Sequence, residues 1–191
     1  RIHLRESYAT GKPTPRQGNR SNNAAPSNLY RCRPFGPNDY VFVHLATVEM
    51  WKTLTAIVGR PELGDDPRYA DRRDRVQFVD EIDAMIEAWT EKRTKHEALE
   101  ILAGSGIPCG AVLDSNEVLA DKHLRQRGFI TELEHPRRGR YPMPSNPVRL
   151  SDSPTELTRA PLLGEHNVEV YGKALGLSKE DLEGLRRDGV I

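Results

Sequence analysis

The chain has 191 residues, 37% hydrophobic and 29% charged, with 28 basic side chains against 28 acidic ones. A formal charge of zero argues against a dedicated nucleic-acid binder, which would carry a marked basic excess. No apolar run approaches the ~20 residues needed to span a bilayer. The apolar content lies below the roughly 45–50% of compact domains, so a core is expected together with arms or loops that rest on something else. Cys32 and Cys109 form no CxxC pair, and no secretory signal opens the chain. Both facts fit reduced thiols in a cytoplasmic protein.

Arg1-Ile-His-Leu-Arg-Glu reads as the middle of a helix, without cap or initiator Met, as though the chain were cut there. A linker is expected over 10–28, where Gly11, Pro13, Pro15, Gly18 and Pro26 break periodic structure. Leu29–Arg33 and Tyr40–Leu45 read as a strand pair, with Val41, Val43 and Leu45 on one face. Thr47 is placed to cap a helix carrying Val48, Trp51, Leu54 and Val58, stopped by Gly59. A longer helix is expected over roughly 71–91, with Val76, Val79, Ile82, Met85, Ile86 and Trp89 on one side. Thr94-Lys-His-Glu97 is a capping box that starts a helix carrying Leu99 and Leu102 and ending at Gly104. Ala111–Leu113 reads as a short strand, and Asp114 as the cap of a further helix.

Beyond Phe129 the basic run His135–Arg140 and Pro142, Pro144, Pro147, Pro154 and Pro161 predict an extended arm. Two helices, about 166–175 and 179–187, close the chain, with Leu177 and Leu182 as a staple around Ser178. The expected class is α+β. It comprises a helix end and linker arm (1–27), a small α+β domain (28–135), a returning arm (136–165) and C-terminal helices (166–191). Two arms flanking one small domain suggest an excursion from a larger body.

Little in the chain points to chemistry. No pair of its six histidines has ligand spacing, so no metal site is expected. Gly104-Ser-Gly-Ile-Pro-Cys-Gly110 runs from helix to strand, the reverse of a phosphate-binding fingerprint, and reads as a helix end turning into a strand. Arg137, Arg138 and Arg140 read as solvated charge. No Ser–His–Asp set can be nominated. The best candidate for ligand contact is the small, polar loop Gly18–Pro26, through Asn19, Ser21, Asn22, Asn23 and Ala24. Its amides can approach a carboxylate closely; the competing reading is an ordinary linker.

An ordered series of short motifs carries a resemblance. It begins with Arg16-Gln-Gly-Asn-Arg20 and Pro26-Ser-Asn-Leu-Tyr-Arg-Cys32. Trp51, Leu54, Gly59, Pro61-Glu-Leu63 and Asp66-Pro-Arg-Tyr69 follow. Arg72 or Arg73, Trp89, Thr94-Lys95, Gly106-Ile-Pro108, Val112 and Arg127-Gly128 continue it, and Pro161 with Gly164-Glu-His166 ends it. By this series the chain resembles the family III CoA-transferases. That group includes formyl-CoA:oxalate and carnitine CoA-transferases and, as a relative, α-methylacyl-CoA racemase.

The resemblance implies a subunit with a large Rossmann-like domain that binds CoA and a small domain reached by two linkers, two subunits interlocking as a homodimer. It implies acyl-CoA and a carboxylic acid as partners, coenzyme A thioester as a substrate rather than a bound cofactor, and no nucleic acid or membrane. Transfer would run through covalent intermediates on an Asp of the large domain, which should lie upstream of Arg1, so no catalytic residue is assigned here. CoA-binding residues are likewise unassigned. Oxalate-specific members carry a glycine run where this chain has Ser21, Asn22, Asn23 and Ala24, which leaves the acid open. A racemase of the same fold, or a non-catalytic binding or dimerisation module, are the alternatives.

Overall fold

The computed structural model describes residues 2–191, with side chains from Leu4 onward; Arg1, where the cut helix was read, lies outside them. The chain is mixed α and β and divides into two compact units, one ending at Asp114 and the other spanning Ser115–Ile191.

In the first unit, α1 (Ile2–Thr10) leads into the irregular stretch 11–26. Strands β1 (Ser27–Arg31), β2 (Tyr40–His44) and β3 (Cys109–Ala111) form an antiparallel sheet in the order β1-β2-β3. Tyr30 pairs with Val41 and Asn28 with Val43, so these four share one face. Tyr30, Val41 and Val43 are buried there, and Leu45 continues the buried row. Helix α3 (Val79–Thr90) packs against β1, and α4 (Lys95–Gly104) against β2 and β3. β1 starts and ends two residues earlier than the sequence suggests, and β3 likewise. The stretch Leu102–Cys109 is the helix end and turn anticipated, with Gly106 at φ 77° supplying the left-handed residue.

Helix α2 (Val48–Ile57) is capped by Thr47, whose hydroxyl accepts from the Met50 amide. Its buried side is Trp51, Leu54 and Thr55; Val48, expected on the apolar stripe, is exposed. The Trp51 indole N–H donates to the Leu63 carbonyl at 2.8 Å and pins the turn Pro61–Gly64 beneath the helix. The Thr94–Glu97 capping box is complete in both directions. Lys95, 5% exposed, reaches the carbonyls of Val112 at 2.8 Å and Asn38 at 3.3 Å, tying α4 to the β1–β2 loop and the end of β3.

The helix expected over roughly 71–91 is two elements. Residues Asp74–Phe78 form a 3₁₀ turn, and the α-helix begins only at Val79. Asp71 accepts from the Arg73 amide, which favours a local turn over helix. Arg75 points inward, 1% exposed, so the segment turns its long cation rather than an apolar side chain to the core. Cys32 is fully buried, and burial pushes its thiol up to about 11; Cys109 is half-buried, and both cysteines are free.

The second unit contains α5 (Ser115–Ala120), α6 (Lys122–Gln126), the hairpin β4 (Ile130–His135) with β5 (Gly139–Pro144), a π-helical stretch Val168–Ala174 and α7 (Lys179–Arg187). The extended arm expected from 136 therefore begins later, because residues 136–144 complete a hairpin. Pro142 and Pro144 are compatible with it because each strand of a two-stranded ribbon has an open edge, where a missing N–H costs nothing. The two closing helical segments and the Ser178 cap stand where expected. Among the described residues this unit buries only Ile130 and Leu182, too little to make a core of its own.

Within it, the Arg159 guanidinium donates to both carboxylate oxygens of Glu165, and the Leu162 amide donates to the same group at 2.6 Å. These bonds lower the Glu165 pKa from 4.5 to about 2. A depressed carboxyl contributes stability that is fully present above its unfolded value and is lost as pH falls through the folded one. The turn at 159–166 should therefore hold down to pH 4.5 and loosen between there and pH 2. An NMR titration should find the Glu165 midpoint near 2, rising toward the ordinary carboxylate value in Arg159→Ala. A wild-type midpoint near 4.5 would show that the pair does not form.

Candidate functional site

The polar loop over 11–26 is irregular but anchored at two points, Arg20 and Ala25. On one side, Arg20 reaches helix α3. Its Nε donates to Asp83 Oδ2 at 2.8 Å, its Nη2 lies at the same distance from that oxygen, and its Nη1 is 2.8 Å from Asp80 Oδ1. Asp83 also accepts from the Tyr30 hydroxyl at 2.7 Å and from Asn28 Nδ2 at 2.9 Å. Burial and then the Asp83 charge raise the Tyr30 phenol far above its usual value, so it stays a donor at every working pH. Burial opposes the charge on Arg20, but Asp80 and Asp83 outweigh it and raise its pKa.

On the other side, Ala25 is held through its backbone. Its amide donates to the Arg72 carbonyl at 3.1 Å, and its own carbonyl accepts from Arg75 Nε at 2.7 Å. Arg75 Nη1 donates to the Tyr69 carbonyl at 2.7 Å, and the guanidinium lies 4.9 Å from the Trp51 ring centroid. Burial lowers the Arg75 pKa from its ordinary value. The Pro26 carbonyl then accepts from Leu45, and the chain enters β1.

Between these anchors stand Ser21, Asn22, Asn23 and Ala24 of the residues singled out from sequence, while Asn19 lies just before Arg20. Asn19 is exposed beside the Gln17–Arg20 turn. The Ser21 hydroxyl donates to Asn23 Oδ1 at 2.7 Å, and Asn22 Nδ2 donates to Glu6 of α1. Ala24 differs from the others: its side chain is 4% exposed and faces the protein, so only its backbone is placed for ligand contact. Asn22 lines a cleft of about 440 Å³ with Arg16, Gln17, Gly18 and Arg20, and Asn23 lines one of about 700 Å³ against α1. With Arg20 committed to its carboxylates, Arg16 is the cation that the first cleft offers an anionic group. The geometry thus brings Ser21, Asn22 and Asn23 together on a polar tip.

Sequence reasoning missed the residues that position this tip: Arg20, Asn28, Tyr30, Arg75 and Asp83. One signal was available. Asp83 follows Ile82 and lies on the apolar flank of α3 with Ile86 and Thr90, where an unpaired carboxylate would not be tolerated. Among the described residues no group of three or more His, Cys, Asp or Glu could hold a metal ion, and no helix is long and apolar enough to cross a membrane. Arg137, Arg138 and Arg140 are exposed.

The family model for CoA-transferase family III matches residues 3–167, and the chain belongs to that family. It is 42% identical over 181 residues to a formyl-CoA:oxalate CoA-transferase of Streptomyces coelicolor, covering 95% of this chain and 44% of that protein. A formyl-CoA:oxalate CoA-transferase of Bradyrhizobium diazoefficiens is 37% identical over 188 residues, covering 97% and 44%. Among solved structures, a CAIB/BAIF family protein from Brucella suis superposes with a TM-score of 0.66 at 26% identity, covering 90% of this chain and 43% of that one. The chain spans less than half the length of the curated relatives it matches.

Replacing Asp83 by Ala should free the loop while leaving the apolar core in place. It leaves the buried Tyr30 hydroxyl without its acceptor, an expected loss of about 1–3 kcal/mol in a urea titration. Trypsin should cut after Arg16 and Arg20 faster than in the parent chain. Unchanged cleavage there would mean that the Arg20–Asp83 contact does not order the loop.

Proposed function

We propose that this chain supplies the small domain, the acid-side loop and the C-terminal helices of a CoA-transferase that moves CoA between carboxylic acids. An acyl-CoA and a free acid are its substrates, and coenzyme A is consumed and regenerated rather than held as a cofactor. In this reading the whole protein is a cytoplasmic homodimer whose Rossmann-like domain carries the nucleophilic Asp outside this chain. That carboxylate would attack the acyl-CoA carbonyl and expel the CoA thiolate, leaving a mixed anhydride. The thiolate would then attack the Asp carbonyl, release the first acid and form an enzyme–CoA thioester ready for the second acid. A carboxylate suits both steps because its anhydride keeps the acyl group activated.

The observation that carries the local assignment is the loop clamped at Arg20 and Ala25 with a polar tip between. Asn19, Ser21, Asn22 and Asn23 offer side-chain donors to an acid's carboxylate or hydroxyl, and Ala24 offers backbone alone. Clamped ends keep the tip's ordering cost low when acid binds. Among the described residues Ser21 is bonded to Asn23 and Asn22 to Glu6, partners these side chains can exchange for the acid's oxygens.

Asn22→Ala and Asn23→Ala in the full-length enzyme should each lower kcat/KM for the acid acceptor about tenfold, the scale of one lost hydrogen bond to a charged group. Binding of the CoA ester should hardly change. Steady-state kinetics with one donor and several acids measures both. If neither variant alters acid selectivity, the loop is a passive linker.

A further inference from the structure

In the second unit, helix α6 and the chain leaving β5 are laced together. Asp121 caps the helix, its Oδ1 accepting from the Leu124 amide at 2.7 Å. Gly128, at φ 61°, turns the chain out of the helix, and the Phe129 amide donates back to the Leu124 carbonyl at 2.8 Å. The Phe129 carbonyl accepts from the Ser145 amide at 2.6 Å, which fixes the end of β5 beside α6. Asn146 Oδ1 then accepts from the Val148 amide at 3.0 Å and holds the turn that leads into Arg149.

This lacing brings together cations that are far apart in sequence. His123, Arg127 and Arg149 line one cleft of about 280 Å³, walled by Leu124, Phe129 and Pro147. The Arg149 guanidinium lies against Gly128, where a β-carbon would collide with it. No carboxylate lines the cleft. Among the described residues neither guanidinium has a hydrogen bond or ion pair to another side chain. Arg20, Arg68, Arg125 and Arg159, by contrast, each hold a carboxylate.

The three side chains are exposed, so water screens their mutual repulsion. What they supply is a field: a concavity lined by one sign of charge and walled by apolar groups focuses potential on an anion entering it. Guanidinium forks match the oxygens of phosphate in pairs, and the imidazole adds an N–H. Two forks and a ring N–H exceed what the two oxygens of a carboxylate can use. A phosphate group presents three terminal oxygens and about two negative charges at neutral pH.

We propose that this cleft binds a phosphate group, as the free ion or as a phosphate monoester, between Arg127 and Arg149. The cleft shares no lining residue with the two beside the loop, and the assignment does not rest on the reading of that loop.

Inorganic phosphate titrated into the full natural chain at constant ionic strength, followed by methyl NMR of Leu124, tests the site. A saturable shift is expected, and acetate should bind at least tenfold more weakly. Arg127→Gln and Arg149→Gln should each weaken phosphate about tenfold, whereas Arg138→Gln, at the exposed tip of the hairpin, should leave it unchanged. The same titration with coenzyme A and dephospho-coenzyme A identifies the source. A shift with coenzyme A that dephospho-coenzyme A does not give assigns the site to the terminal phosphate monoester; any other pattern, with phosphate still binding, assigns it to the free ion. A phosphate shift that does not saturate, equal binding of acetate, or full binding by folded Arg127→Gln or Arg149→Gln overturns the proposal.

Discussion

The carboxylate of Asp83 is the point at which strand β1, helix α3 and the polar loop are registered against one another. Its contacts are not equal in weight. The Arg20–Asp80 pair beside it is largely solvated, with Asp80 88% exposed, and such pairs are worth about 0–1 kcal/mol. The Tyr30 hydroxyl reaches Asp83 inside the protein, where a hydrogen bond to a charged group contributes about 1.5–3 kcal/mol. That gain is set against the cost of taking the carboxylate out of water, so the cluster adds little net stability. Its effect is positional: the carboxylate is satisfied only when Asn28, Tyr30 and Arg20 all stand where they do.

Arg75 solves a related problem at the other end of the loop with a cation. It rests on two backbone carbonyls and the face of Trp51 rather than on a contacting carboxylate. Backbone acceptors make this anchor insensitive to which side chains occupy positions 25 and 69. Trp51 in turn bonds the Leu63 carbonyl, so one chain of contacts runs from α2 through the indole and guanidinium to the backbone of Ala25.

Much of the first unit was legible because its signals are local. The Thr47 cap, the Thr94–Glu97 box and the alternation of Val41, Val43 and Leu45 depend on neighbours within a few residues. The breakdown at 71–78 came from a long-range demand, since Arg75 turns inward to meet a carbonyl fifty positions away. The hairpin at 130–144 was hidden by its prolines, whose meaning depends on whether a second neighbour strand exists. For the loop, composition drew attention to Asn19, Ser21, Asn22, Asn23 and Ala24. It could not separate Ala24, which faces inward, from the rest, nor show that distant Asp83 and Arg75 hold the segment.

The placement of the two anchors outside positions 21–23 bears on how such a segment can change over generations. Among the described residues, the side-chain bonds of Ser21, Asn22 and Asn23 run to one another and to Glu6 of α1, and none of them registers the sheet with helices α2–α4. Substitutions there escape most of the folding constraint that acts on Arg20, Tyr30, Arg75 and Asp83. Lineages can therefore drift or be selected at the tip while the scaffold stays intact, and the same three positions offer a protein engineer a short cassette for exchange.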